Sequence, residues 1–186
     1  MAQVKNNIII QDVSGAIGKQ IVLKCVNGKT ILSKMPSMPT TRTPKQKAQS
    51  KRFKNASSYA KKSLLNPLLK ELYTTEAKRR GIINAYNMAL SDYMKAPEIK
   101  FVDTSAYTGS QIKEPITIEV NDNFKVVEVR VTISHSDKII EEGNAIFTKD
   151  LWQYFTTTLN KTLTGTKITI TAIDRPQNAS IEEILL

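Results

Sequence analysis

Residues 41–62 read TRTPKQKAQSKRFKNASSYAKK, with eight Lys or Arg and no acidic side chain. Arg42, Lys45, Lys47, Lys51, Arg52, Lys54, Lys61 and Lys62 carry enough positive charge to neutralise several phosphates and release their counterions. A second basic cluster follows at Lys78, Arg79 and Arg80. The same cations also suit an acidic protein partner, an acidic membrane surface or a solvated helix face, and the residues alone leave these readings open. Aromatic interleaving, on which bases stack, is limited to Phe53 and Tyr59.

Acid–base and nucleophilic chemistry finds less material. It calls for a nucleophile with a base, converging carboxylates, a metal cluster or a cofactor loop. The single histidine, His135, lies in the polar turn SHSDK without an identifiable partner and reads as a solvated turn residue. Glu141-Glu142 and Glu182-Glu183 are adjacent pairs in strand-like or terminal sequence, where neighbours point to opposite faces. The segment GAIG (15–18) lacks the spacing of a phosphate loop, so its glycines read as turn residues. One cysteine, Cys25, excludes an intramolecular disulfide and any multi-cysteine zinc or iron–sulfur site within the chain. No cofactor, no metal site and no enzymatic activity is expected.

The charge is unevenly placed. Residues 1–100 hold 19 Lys/Arg against 5 Asp/Glu, and residues 101–186 hold 8 against 12. The net charge of +10 therefore belongs to the first half, which suggests two segments, 1–100 and 101–186, with different surfaces. No stretch approaches the roughly 18 apolar residues of a membrane span. The start, MAQVKNNIIIQDVSG, lacks the apolar core and cleavage site of a secretory signal. The expectation is cytoplasmic residence or incorporation into a particle.

The elements that position these residues can be read from pattern. QIVLKCVNGKTILSKMP (20–36) predicts a β-hairpin around Asn27-Gly28, pairing Cys25 with Thr30, Leu23 with Leu32 and Ile21 with Lys34. Cys25 then shares an apolar face with Ile21, Leu23 and Leu32 and reads as a small buried hydrophobe. MPSMPTTRTP (35–44) is an extended connector. Thr43, Pro44 and Gln46 predict a capped helix start, and the basic stretch is helical over 44–65. Its apolar stripe is Phe53, Ala56, Ala60 and Leu64, which makes Phe53 a core residue. Asn66-Pro67 breaks that helix and starts a short second one through Tyr73. A third is predicted from Thr75 to Lys95, with Gly81 inside it.

After Pro97 the apolar period changes from 3.6 to 2. Ile116, Ile118 and Val120 alternate with polar residues, as do Val127, Val129, Val131 and Ile133, and Ile168, Ile170 and Ala172. With shorter runs at 138–140, 144–148 and 151–158, these predict an antiparallel immunoglobulin-like β-sandwich with Trp152 between its sheets. The fold class is thus α+β: an N-terminal β-hairpin plus two or three helices, then the sandwich.

The run GNAIFTKDLWQYFTTTLNKTLTGTKITITAIDRPQNASIEE resembles the end of bacterial immunoglobulin-like domains, in which a Trp strand precedes a TATD-type strand and a Gly-Asn-Ser turn. Trp152, Ala172, Asp174, Asn178 and Ser180 match, and Gln177 stands where the family usually has Gly. Asp174 and Asn178 read as turn formers bonding nearby backbone amides. The first hundred residues resemble a group of uncharacterised Bacteroidetes proteins with a Gly-rich hairpin, a Lys/Pro segment and a T-x-x-Q-x-x-x-R-x-x-F helix. Ser14, Gly15, Gly18, Pro36, Pro39, Thr43, Gln46 and Phe53 match, while the Arg position falls at Ser50. Tyr86, Asn87, Ala89 and Leu90 match a further Y-N-x-A-L/M stretch. The resemblance implies the architecture and carries over no catalytic residue.

The functional expectation is a noncatalytic binding or assembly module, such as a structural component of a phage-like particle or other multi-protein complex, with a protein partner or self-assembly. The alternative is a nonspecific nucleic-acid-binding protein that uses the helix over 44–65.

Overall fold

A computed structural model of the chain describes residues 2–4, 10, 13–26, 28–37, 41–136 and 138–186. The described residues form three helices and twelve strands in three four-stranded antiparallel sheets, an α+β architecture. The chain divides into two compact units, Met1–Lys47 and Ala48–Leu186. The expected division near residue 100 falls inside the second unit.

The first unit holds β1 (Ala2–Val4), β2 (Gly15–Ile17), β3 (Ile21–Val26) and β4 (Lys29–Lys34), in the order β1-β4-β3-β2. The β3–β4 register is the expected one: Ile21 faces Lys34, Leu23 faces Leu32 and Cys25 faces Thr30. Asn27 of the predicted turn, like Pro39 of the connector and Asp137 of the SHSDK turn, lies outside the described residues. Gly28 has φ 71°, which a β-branched residue resists. Gly15 opens strand β2 instead of forming a turn, because its segment pairs with β3.

Cys25 is exposed, not buried. The reason lies in the strand order. The ladder between β2 and β3 runs from Gly15–Leu23 to Ile17–Ile21 and does not extend to Cys25. Thr30, by contrast, is flanked by Cys25 on β3 and Val4 on β1, and it is buried.

Helix α1 (Pro44–Ser63) starts where the sequence predicts. The Thr43 N–H donates to Gln46 Oε1 (3.0 Å) and the Gln46 N–H to Thr43 Oγ1 (3.2 Å), a reciprocal cap with Pro44 at the first helical position. Asn66 Oδ1 accepts from the N–H groups of Leu68 and Leu69 and caps α2 (Pro67–Arg79). The predicted helix 75–95 does not form. α2 runs on to Arg79, and Gly81 at φ 66° ends it: the Ile82 N–H donates to the Ala77 carbonyl and the Gly81 N–H to the Lys78 carbonyl. That Schellman geometry needs a left-handed residue, so the glycine terminates the helix it was expected to sit within. Asn84 then caps α3 (Ala85–Met94), accepting from the Asn87 N–H at 2.9 Å. Ala60, Tyr73, Ala77, Met88 and Ala89 form the helical core. Phe53 lies outside it, 52% exposed, because cover over α1 begins only at Ala56.

The other eight strands are β5 (Glu98–Asp103), β6 (Pro115–Asn121), β7 (Val126–His135), β8 (Lys138–Asn144), β9 (Ile146–Thr148), β10 (Leu151–Phe155), β11 (Thr166–Asp174) and β12 (Ala179–Leu185). They build two sheets, β5-β6-β10-β9 and β12-β11-β7-β8. Alternate residues of each sheet enter one shared core: Ile116, Ile118 and Tyr154 from the first, Val129, Val131, Ile133, Ile168, Ile170 and Ala172 from the second. Trp152 packs at the edge of this core, half-buried, with its ring 5.2 Å from exposed Phe147. Tyr154 takes the buried position two residues on. The chain passes from one sheet to the other at a single buried residue, Ala145: Asn144 pairs with Arg130 of β7, and Ile146 with Gln153 of β10.

Burial separates two residues of one type. Ile118→Ala, in the shared core, is expected to cost about 2–5 kcal/mol. Ile146→Ala, on an exposed edge, should cost within about 0.5 kcal/mol. Urea denaturation of the two variants measures the difference, and equal costs would overturn this core assignment.

Candidate functional site

Every residue from 44 to 55 is exposed, so Lys45, Lys47, Lys51, Arg52 and Lys54 stand in solvent along the first half of α1. Arg42 is exposed just ahead of the helix. Lys61 and Lys62 occupy the last turn of α1, where cations oppose the helix dipole favourably. Arg52 also has a structural task, since its Nη2 donates to the Met94 carbonyl at 3.0 Å. Exposed Phe53 thus sits among Lys51, Arg52 and Lys54, an aromatic among cations where core was expected.

Lys78, Arg79 and Arg80 lie on a different helix end and differ in character. Arg79 and Arg80 both reach Glu76, at 2.6 and 2.5 Å. The hydrogen bond from Arg79 is the largest influence on this carboxyl; with the bond from Arg80 it outweighs partial burial and holds the pKa at about 2. Glu76 therefore offsets one of the three positive charges of this second cluster and fixes both arginines in place.

An apolar row that the sequence reading did not single out runs from the α1–α2 turn along α2. Leu65 is 82%, Leu68 72% and Leu72 48% exposed. Leu68 and Leu72, one helical turn apart, border a groove with Glu71, Phe124, Lys125 and Arg175. Lys61, Lys62, Lys70 and Lys78 are exposed on the same two helices.

Three acidic side chains also meet in the second unit. Asp92 in α3 and Asp174 at the end of β11 are fully buried, and Asp122 in the β6–β7 loop is half-buried. One oxygen of each lies within 4.8 Å of the others. Tyr73 donates to Asp92 Oδ2 at 2.6 Å, and the Tyr59 and Tyr73 hydroxyls are 2.9 Å apart. Asp174 accepts from the Asn178 N–H (2.6 Å), as expected of a turn former, whereas the Asn178 side chain bonds no backbone amide among the described residues and instead donates through Nδ2 to the Asp174 carboxylate (2.7 Å). Asn178 does more, reaching the carbonyls of Asp92, Tyr93 and Lys95 at 3.2–3.4 Å. Gln177, at the usual glycine position of the resemblance, adopts φ 70°. Burial pushes Asp92 up to about 7, against the Tyr73 bond and with the neighbouring Asp122 and Asp174 charges. Burial likewise raises Asp174, opposed by its bonds from Asn178. Nothing in the local sequence announced this cluster, because its members come from three distant segments.

The remaining titratable residues are placed apart. His135 is the half-buried last residue of β7 and pairs with Thr166. Glu141 is buried and accepts from the Thr157 N–H and hydroxyl and the Thr158 N–H, while Glu142 turns outward to Arg130. The two point to opposite faces, as expected. Glu182 and Glu183 are both exposed on β12, and Glu183 pairs with Lys167.

No protein-family model, curated protein or solved structure matches this chain.

Glu76 gives a pH signature. Its folded pKa of about 2 lies below the ordinary 4.5, so its contribution to stability is present above pH 4.5 and is lost as pH falls towards 2. The Glu76→Gln chain is expected to lose less stability than the parent across that window. Urea midpoints at the two ends measure it, and parallel losses would show that the Arg79–Glu76–Arg80 group adds nothing.

Proposed function

We propose that this chain is a noncatalytic binding or assembly module, with basic helices joined to an immunoglobulin-like sandwich, and that it serves as a structural component of a multi-protein assembly such as a phage-like particle. The observation that carries the reading is the exposed row Leu65, Leu68 and Leu72. Leucines left in water at this density on α2 and the turn before it suit a protein interface, whose centre is apolar and whose rim is polar. The lysines on α1 and α2 favour a partner with an acidic rim. The strand order supports the immunoglobulin-like reading: β5-β6-β10-β9 corresponds to A-B-E-D and β12-β11-β7 to G-F-C, with β8 as an added edge strand.

A pull-down with the full chain, before and after nuclease treatment, tests this. Capture of a defined protein that resists nuclease and is lost in the Leu68→Ser/Leu72→Ser chain is the expected result. Capture that vanishes with nuclease, or that ignores both leucines, would sink it.

Exposed Phe53 among Lys51, Arg52 and Lys54 favours a second reading, nonspecific nucleic-acid binding through α1, with the ring available to stack on a base. Lys45, Lys47, Lys51 and Lys54 changed to Gln, with Arg52 left to its bond with Met94, keep helix propensity nearly constant. The slope of log affinity against log salt should then drop by up to about 3–4. Absence of any DNA or RNA binding by the parent chain at about 50 mM salt ends this reading.

A further inference from the structure

The seam between the helices and the sandwich carries an electrostatic imbalance. Asp92 from α3, Asp122 from the β6–β7 loop and Asp174 from β11 bring three carboxylates within 4.8 Å. Acidic groups often gather without a ligand, so the state of their individual oxygens decides the matter. Asp92 is fully buried and its Oδ1 has no hydrogen-bond partner. Asp122 Oδ1 is in the same condition, and so is a neutral oxygen, Asn123 Oδ1, from the next residue. Buried polar oxygens are nearly always hydrogen-bonded, and buried carboxylates pair with cations or coordinate metals.

A protein cation does not fill the role. Among the described residues none of the three carboxylates forms an ion pair. Arg175 is the nearby candidate, yet its guanidinium carbon lies 5.9 Å from the centre of the Phe124 ring and its Nε has no partner.

We infer that Asp92, Asp122 and Asp174 form a binding site for a divalent hard cation of calcium size. The donors are all oxygen, the ligand class of calcium and magnesium, with none of the imidazole or thiolate that zinc favours. The oxygens all lie within 4.8 Å of one another, a span that a cation with Ca–O distances of ~2.4 Å can bridge. Tyr73 holds Asp92 Oδ2 and thereby fixes where Oδ1 stands, the supporting role that outer groups play around a metal ligand. The bound ion ties α3 to the β6–β7 loop and to the end of β11, so cation supply sets how firmly the helices are held against the sandwich.

The full chain, stripped with EDTA and kept at neutral pH, is titrated with Tb3+, whose emission neighbouring tyrosines sensitise, and then with Ca2+ or Mg2+ as competitor. Saturable emission that Ca2+ displaces, with an apparent Kd on the order of 10⁻⁵–10⁻³ M, is the expected result, together with a higher Tm in Ca2+. Asp122→Asn alters a half-buried loop position, and its fold is checked by circular dichroism. It should weaken binding by roughly tenfold or more, while Glu142→Gln leaves it unchanged. No saturable emission and no change in Tm at about 10 mM Ca2+ would overturn the site, as would unaltered affinity in Asp122→Asn. Mg2+ competing as well as Ca2+ would overturn the size assignment.

Discussion

The last carbonyl groups of a helix have no partners within it, and this protein satisfies those of α3 from another part of the fold. Asn178, in the turn between β11 and β12, shares its amide hydrogens among the carbonyls of Asp92, Tyr93 and Lys95 while also donating to Asp174. One side chain therefore finishes a helix, shapes a turn and joins the two. Around it the contacts accumulate: Ser180 donates to the Pro97 carbonyl, Asn123 to Ser91, and Phe124 stacks on Tyr73 with ring centres 4.5 Å apart. The buried acids are held at this seam because both partners of the joint converge there.

The seam also explains why the second unit begins near Ala48 although the apolar period changes only after Pro97. A change of period marks a change of element, not of compact body. Helices whose buried face is mostly alanine, such as Ala56, Ala60, Ala77 and Ala89, present little apolar area of their own. They gain burial by packing with larger groups, Tyr73, Met88 and the loop residue Phe124, the last of which comes from the sandwich.

What could be read in advance followed locality. The Thr43-Pro44-Gln46 cap, the β3–β4 register and the alternating strands depend on residues close in sequence, and each appears as the pattern predicts. Features set by distant neighbours were not legible. Cys25 is exposed where the β2–β3 ladder does not extend, and Phe53 because burial along α1 starts only at Ala56. Strand β12 carries Glu182-Glu183 and only edge exposure, so its sequence lacks clean alternation, and it is defined by its pairing to β11. Gly81 was visible, but whether a glycine interrupts or merely weakens a helix rests on the hydrogen bonds that follow it. The basic residues of the candidate site were legible as a list; the leucine row lies in one stretch, LLNPLLKEL, but its exposure depends on what packs over that face, and the acidic triad depends on how separate segments come together.

The crossing at Ala145 has a mechanical meaning. With Asn144 fixed in one ladder and Ile146 in the other, the two sheets share a strut one residue long. A slip of β8 along β7 would drag β9 along β10 by the same step and turn the inward residues of both outward. Neither sheet can shear past the other without tearing that link, and an error in either register is felt at once in its companion. The sandwich should therefore assemble and yield as a single block, with little room for a state in which one sheet is formed and the other is loose.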